Sequence, residues 1–205
     1  VVFFLVTPTC VLIISLHMRQ PLICNGGDNL LRNMIFWSMF LPLGDHFSVD
    51  RKRLHKTKPP LLTFSAATIA IMAQVCFVYW VAAVTKSDPQ WTESRTALYF
   101  ALHLDFVATD LARWLLQFPT LLQWLTTLTL WLEFFGPFLV FSPVFTSRIR
   151  VVVILSFIAF HLGIALCMHL GLFTWICIVS SSIYIPTSFW EWIANFYHSK
   201  DDHYN

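Results

Sequence analysis

Three ionisable residues stand inside stretches that are otherwise apolar: Lys86, Glu133 and His161. Charged groups are costly in low-dielectric surroundings, and they persist there when paired, wetted or put to work. Lys86 closes the run "VYWVAAVTKSDPQW" (residues 78–91), with Asp88 two positions on. A lysine at the end of an apolar helix can snorkel to the headgroups as an anchor. A lysine in a desolvated site has its neutral amine favoured and is then available as a general base. It is the only cation near that end of its run, and the residues alone leave both readings open.

His161 falls eleven residues after Arg150. A helix starting at the membrane surface would carry it about 17 Å into a hydrocarbon core of about 30 Å. An imidazole at that depth needs a partner on a neighbouring helix or a wet cavity. Met168 lies near the same face, and His169 is rotated away from it. Glu133 sits thirteen residues into its own apolar run, where an isolated carboxylate would cost several kcal/mol. Lys86, Arg113 and His161 are its candidate partners, either in a structural pair or in catalysis. Asp110 and Arg113 have i,i+3 spacing and make a local ion pair.

Other chemistries find no footing. There is no HExxH, no Gly-rich phosphate loop, no GxSxG and no histidine pair at metal spacing, so no metal is expected. The five cysteines form no CxxC, and four of them lie in apolar runs as small buried hydrophobes. A formal net charge of +2 without a basic, aromatic-interleaved patch argues against nucleic-acid binding. One Gly-Pro break, at Gly136-Pro137, is too little for the paired broken helices of a transporter.

The elements that must position these residues are helices in a bilayer. Hydrophobic residues make up 57% of the 205 and charged residues 12%, against about 25% charged in soluble domains, and the mean hydropathy is +0.66. This composition implies an integral membrane protein whose main partner is the lipid bilayer. Twenty Phe and nine Trp suit lipid-facing and interfacial positions.

A span needs about 20 apolar residues. Residues 1–16 read as the tail of one, ended by His17, Arg19 and Pro21, so an N-terminally truncated fragment lacking its first helix is expected. "NGGD" (25–28) reads as a turn before a shorter apolar helix over 30–43, and residues 45–60 form the most basic loop. Residues 61–85 and 121–141 read as spans. Residues 91–118 mix Asp105, Asp110 and Arg113 with leucines and aromatics, which fits an amphipathic or re-entrant segment. The apolar stretch from Arg150 to Ile185 is too long for one span and fits a hairpin broken around His169 to Gly171. The expected fold is therefore all-α: a polytopic transmembrane helix bundle, one domain over residues 1–205, with an amphipathic or re-entrant segment.

Arg51, Lys52, Arg53, Lys56 and Lys58 cluster in one loop, and Arg148 and Arg150 two crossings later. The positive-inside bias makes that side cytoplasmic, which leaves Lys86 extracytoplasmic.

Three blocks carry a family resemblance. "RQPLICNGGDNLLRNMIFWSMFLPLGDHFSVD" (19–50), "VYWVAAVTKSDPQW" and "FHLGIALCMHLGLF" (160–173) occur in this order. They resemble the HTTM (horizontally transferred transmembrane) domain family, whose membrane domain is shared with vitamin K-dependent gamma-carboxylase. The resemblance implies that Lys86 falls on the base that deprotonates vitamin K hydroquinone, and His161 on a histidine implicated in the same site. The oxygenated product then takes a proton from a glutamyl γ-carbon, and carbon dioxide traps the carbanion, a carbon-carbon lyase type of reaction. The lumenal position of that active site agrees with the loop charges. There are departures. Thr85-Lys86 stands where the carboxylase has two lysines, Asp45 occupies the column of a functional histidine with His46 one residue later, and the substrate-docking lumenal portion is not among these residues.

Two functions follow as expectations. The first is a quinol-dependent enzyme with Lys86 and His161 as catalytic residues and Glu133, His46 and Asp88 around them, using vitamin K hydroquinone or another quinol on a secreted peptide. The second is a non-catalytic membrane factor for maturation or export of a secreted peptide. Convergence of Lys86, His161 and Glu133 on one pocket separates them.

Overall fold

Helices of uneven length and apolar character build this chain. The computed structural model describes residues 2–20, 24–41, 43 and 65–193. Along it run α1 (Val2–Arg19), α2 (Gly26–Ser38), α3 (Ala66–Thr85), α4 (Pro89–Thr92), α5 (Ala97–Ala101) and α6 (Asp110–Leu115). Then follow α7 (Pro119–Val140), α8 (Thr146–Cys167), α9 (Phe173–Ser181) and a 3-10 turn (Ser182–Tyr184), and residues 187–193 are again helical. Among the described residues there is no β-strand, only an isolated bridge between Ala108 and Met168. The all-α expectation holds. The basic loop at 45–60, with His46, lies outside the described residues.

Chain contacts divide into two units, residues 1–74 with 186–205, and residues 75–185, the boundary falling within α3. In the first unit α1 packs on α2. "NGGD" does more than turn the chain. The Asn25 side chain accepts from the Gly27 and Asp28 amides, and the Asp28 carboxylate accepts from the Asn25 amide at 2.8 Å. That reciprocal cap satisfies orphan donors and starts α2 at Gly26, earlier than the apolar pattern implies. His17 Nε2 lies 3.8 Å from Asp28 Oδ1, tying the end of α1 to the start of α2.

In the second unit α7 sorts its side chains by face. Its buried residues are Leu122, Thr126, Thr129, Glu133, Gly136, Pro137 and Val140, a stripe stepping by four and three along one face. Trp124, Leu128, Trp131, Phe135 and Phe138 point outward and are exposed. Small and polar residues inside with bulky apolar ones outside is the arrangement of helices that pack in lipid. Thr126 keeps its hydroxyl satisfied within the helix, donating to the Leu122 carbonyl at 2.8 Å.

Two helices, α3 and α8, are long and apolar enough to cross a membrane, and only 28% and 22% of their apolar windows are buried. A core helix of a water-soluble protein would be mostly covered, so these surfaces fit a membrane protein. Helices α1 and α9 are apolar but shorter.

Between α3 and α7 the chain forms the three short helices α4, α5 and α6 instead of one amphipathic helix. Pro89 starts α4, and Arg95 at φ +57 turns the chain before α5. Leu102, Ala108, Ala112 and Leu122 make a small core that holds this segment to α7, with Cys167 and Met168 packed against it. The break after α8 falls where the residue pattern places it. Thr109 N donates to Cys167 O at 3.0 Å, His169 N to Val107 O at 2.8 Å, and Gly171 at φ +59 turns the chain toward α9. Positive φ is a conformation that glycine adopts without a Cβ penalty.

Candidate functional site

Three polar side chains leave α3 and the residue after it. Tyr79 and Lys86 are seven residues apart, which returns to within about 20° of the same direction, and Cys76, three residues before Tyr79, is turned about 60° from it. Each meets a different element within the second unit. Cys76 Sγ lies 3.0 Å from Tyr184 Oη, Tyr79 Oη lies 3.0 Å from His161 Nε2, and Lys86 Nζ donates to Glu133 Oε2. Trp80, on the adjacent face, donates its indole N–H to the Phe134 carbonyl at 3.1 Å and so fixes α3 against α7.

The Lys86–Glu133 pair joins the end of α3 to the middle of α7. The Glu133 side chain is 7% exposed and that of Lys86 21%. Glu133 occupies the inner stripe of α7, where an unpaired carboxylate would carry the full cost of desolvation. Lys86 follows the last residue of α3, and its long stem lets the amine reach that carboxylate. On its other side Nζ lies 5.2 Å from the centroid of the Trp91 ring, within range of a cation–π contact. Trp91 is placed by α4, whose first turn is set by Pro89 and closed by Trp91 N donating to Asp88 O at 2.9 Å.

Beside the amine runs an open groove of about 310 Å³. Lys86, Ser87 and Thr92 supply its polar atoms, and Leu130, Trp131, Phe134 and Phe135 of α7 form an apolar, aromatic wall. An amine on one side and flat rings on the other suit a ligand that is apolar and ring-bearing with a polar hydroxyl.

His161 is 2% exposed and sits in a different setting. Nε2 meets the Tyr79 hydroxyl, while Phe173 lies edge-on at 5.8 Å and Phe160 at 4.9 Å between ring centroids. Phe157 stacks on Tyr79 at 4.1 Å, and Gly136 lets the Phe157 ring press against α7. Nδ1 of His161 is buried without a hydrogen-bond partner among the described residues.

The structure therefore brings Lys86 and Glu133 into direct contact and leaves His161 about two helical turns, roughly 10 Å, along α3 from Lys86. His161 does not line the groove. Asp88 is exposed, caps no helix with its side chain and makes no ion pair with Lys86. Among the candidate partners of Glu133 it is Lys86 that pairs; Arg113 instead bonds Asp110 at 3.1 Å on the surface, as their spacing implies. Among the described residues no group of three or more His, Cys, Asp or Glu gathers as for a metal.

Two residues escaped the sequence reading. Tyr79 reads as one more aromatic in an apolar run, and its seven-residue offset from Lys86 was the available signal. Trp91 stands in the lysine block, but its place over the amine depends on the one-turn helix α4.

With this geometry in place, comparison with known proteins identifies the lineage. The sequence model of the HTTM domain family matches residues 30–190, well over half of the chain. The chain belongs to the HTTM domain family, which fits a membrane protein related to the gamma-carboxylase family. No curated protein and no solved structure matches it.

Proposed function

We propose that this member of the HTTM domain family is a multi-pass membrane enzyme in which Lys86 takes a proton from a hydroxyl of a quinol or a similar ring-bearing lipid. The observation that carries the proposal is the Lys86–Glu133 pair beside an aromatic groove. A lysine that only anchored a helix would turn its ammonium to water or headgroups. Here it turns inward to a carboxylate that is almost entirely buried. The groove suits such a ligand, since Trp131, Phe134 and Phe135 offer ring faces and Lys86, Ser87 and Thr92 offer polar contacts. A quinol bound there, vitamin K hydroquinone among the candidates, would supply an acidic hydroxyl and an oxidisable ring.

The chain's own residues divide the work. Glu133 holds the amine by accepting one of its N–H groups, and once the pair has given up a proton to the surroundings, the neutral amine keeps that contact and has its lone pair open for the ligand's proton. Proton abstraction by a positioned side chain contributes about 10²–10⁴-fold to rate. His161 keeps Tyr79, and with it α3, in register against α8; it acts through position and not on the ligand. The positive-inside bias of Arg51, Lys52, Arg53, Lys56, Lys58, Arg148 and Arg150 supports an extracytoplasmic side for Lys86 in this reading. Epoxidation of the ring, and carboxylation of a secreted peptide after it, follow from the family resemblance.

A second reading has one observation in its favour. His161 is packed among Phe157, Phe160 and Phe173 and not aligned with Lys86 on a shared pocket. That separation suits a non-catalytic membrane factor for maturation or export of a secreted peptide.

One assay decides between them. Membranes containing the protein are given reduced vitamin K or menaquinol with oxygen, and epoxide is quantified for wild type and Lys86→Ala. The enzyme reading expects epoxide from the wild type and a loss of about 10²–10⁴-fold in the variant. No epoxide from wild type with either quinol would overturn it and leave the maturation reading.

A further inference from the structure

The Lys86 amine is gripped from two sides, and only one grip is an ion pair. Glu133 Oε2 accepts one N–H, and the π face of Trp91 lies 5.2 Å from the same nitrogen. The Lys86 side chain stays 21% exposed, and Lys86 lines the groove along with Thr92 of the Trp91-bearing helix. A neutral amine has two N–H groups and one lone pair. With one N–H on the Glu133 carboxylate, the lone pair opens when the amine gives up a proton, and the Trp91 ring, at cation–π distance, restrains where the ammonium form can turn beside the groove it lines.

We propose that Trp91 is a positioning residue for Lys86, the second of two clamps that aim the amine into the groove. The inference rests on the reading of Lys86 as a base, and it adds a residue and an orientation which that reading does not require. The backbone that carries the ring is set independently of any ligand: Pro89 sets the first turn of α4, and the Asp88 carbonyl accepts from Trp91 N. A cation–π contact of this kind, partly withdrawn from water, corresponds to about a five- to thirty-fold effect on the geometry it selects.

The test uses Trp91→Leu, which keeps an apolar side chain but removes the ring, and Trp91→Phe, which keeps a ring, both in the protein in membranes. In the epoxide assay Trp91→Leu should lower kcat about five- to thirty-fold with KM for the quinol unchanged, and Trp91→Phe should recover most of it. Equal kcat in Trp91→Leu and wild type, or a Phe variant as impaired as the Leu variant, overturns the proposal. A second readout needs no turnover: acetylation of Lys86 by acetic anhydride, followed by mass spectrometry with the other lysines of the chain as internal reference. Uncovering one side of the amine should speed modification of Lys86 several-fold over that reference in Trp91→Leu, and leave Trp91→Phe like the wild type. An unchanged ratio in Trp91→Leu overturns the clamp even if epoxide is made. A changed ratio in a protein that makes no epoxide upholds the clamp while the base reading fails.

Discussion

Helix α3 makes two polar contacts on nearly the same face, two turns apart, and they live in opposite surroundings. At its end, Lys86 and Glu133 pair beside a groove walled by Trp131, Phe134 and Phe135. Further in, Tyr79 and His161 are packed under Phe157 and Phe173, with His161 2% exposed. Both contacts tie α3 to a neighbour, and both satisfy groups that lipid would leave bare. Only the first has an open side that a ligand can reach. Burial alone therefore does not distinguish the two contacts; the proposed site combines a buried partner with an open approach.

That contrast can be broken most severely at Glu133. Glu133→Ala should leave Lys86 without its carboxylate, cost about 3–5 kcal/mol of stability and reduce epoxide formation nearly as far as Lys86→Ala does. Thermal unfolding in detergent together with the membrane assay measures both effects. A variant as stable and as active as wild type would mean that the pair is ornamental.

Gly136→Ala addresses the packed region from the same helix, one turn on from Glu133. A Cβ there would sit 2.8 Å from Cζ and 3.0 Å from Cε2 of Phe157, and Phe157 is stacked on Tyr79. Overpacking of this kind costs about 1–3 kcal/mol. Stability should fall while residual epoxide formation per folded molecule stays near wild type, because the strain is directed at Tyr79 and not at Lys86. Activity lost in step with that of Glu133→Ala would merge the two regions into one site.

The smallest effect belongs to Tyr79→Phe, which keeps the stacked ring and removes the hydroxyl that meets His161 Nε2. Loss of about 1 kcal/mol is expected, with the epoxide rate preserved. A large drop in rate without a drop in stability would instead give the Tyr79–His161 contact a part in the chemistry.

Much of this could be seen in the residues before any fold. The break after α8 was local: the reversal at Gly171 follows from the backbone conformations that glycine tolerates, whereas the Asn25 cap and the Pro89 start of α4 emerge only in the structure. The isolated charge at Glu133 announced that a partner had to exist, because lipid supplies none. Its identity was not legible, since Lys86 and Arg113 are both cations on the chain and only packing decides which one arrives. The segment at 91–118 was legible only coarsely. Its composition suited an amphipathic or a re-entrant segment, and the turn at Arg95 and the bridge from Ala108 to Met168 divide it, which rules out one continuous amphipathic helix and is not a property of composition.

What the sequence determined by itself was the kind of environment and the inventory of groups: an apolar, aromatic-rich, helical chain with Lys86, Glu133 and His161 placed where charge is expensive. Those follow from transfer free energies and helical periodicity, which act residue by residue. The tertiary structure alone decided that Lys86 and Glu133 pair, that Trp91 covers the amine, and that His161 closes on Tyr79 two turns away. The reason is geometric. A contact between residues 47 or 82 positions apart depends on how helices rotate and slide against one another, and many residues set that rotation together, none of which takes part in the contact itself.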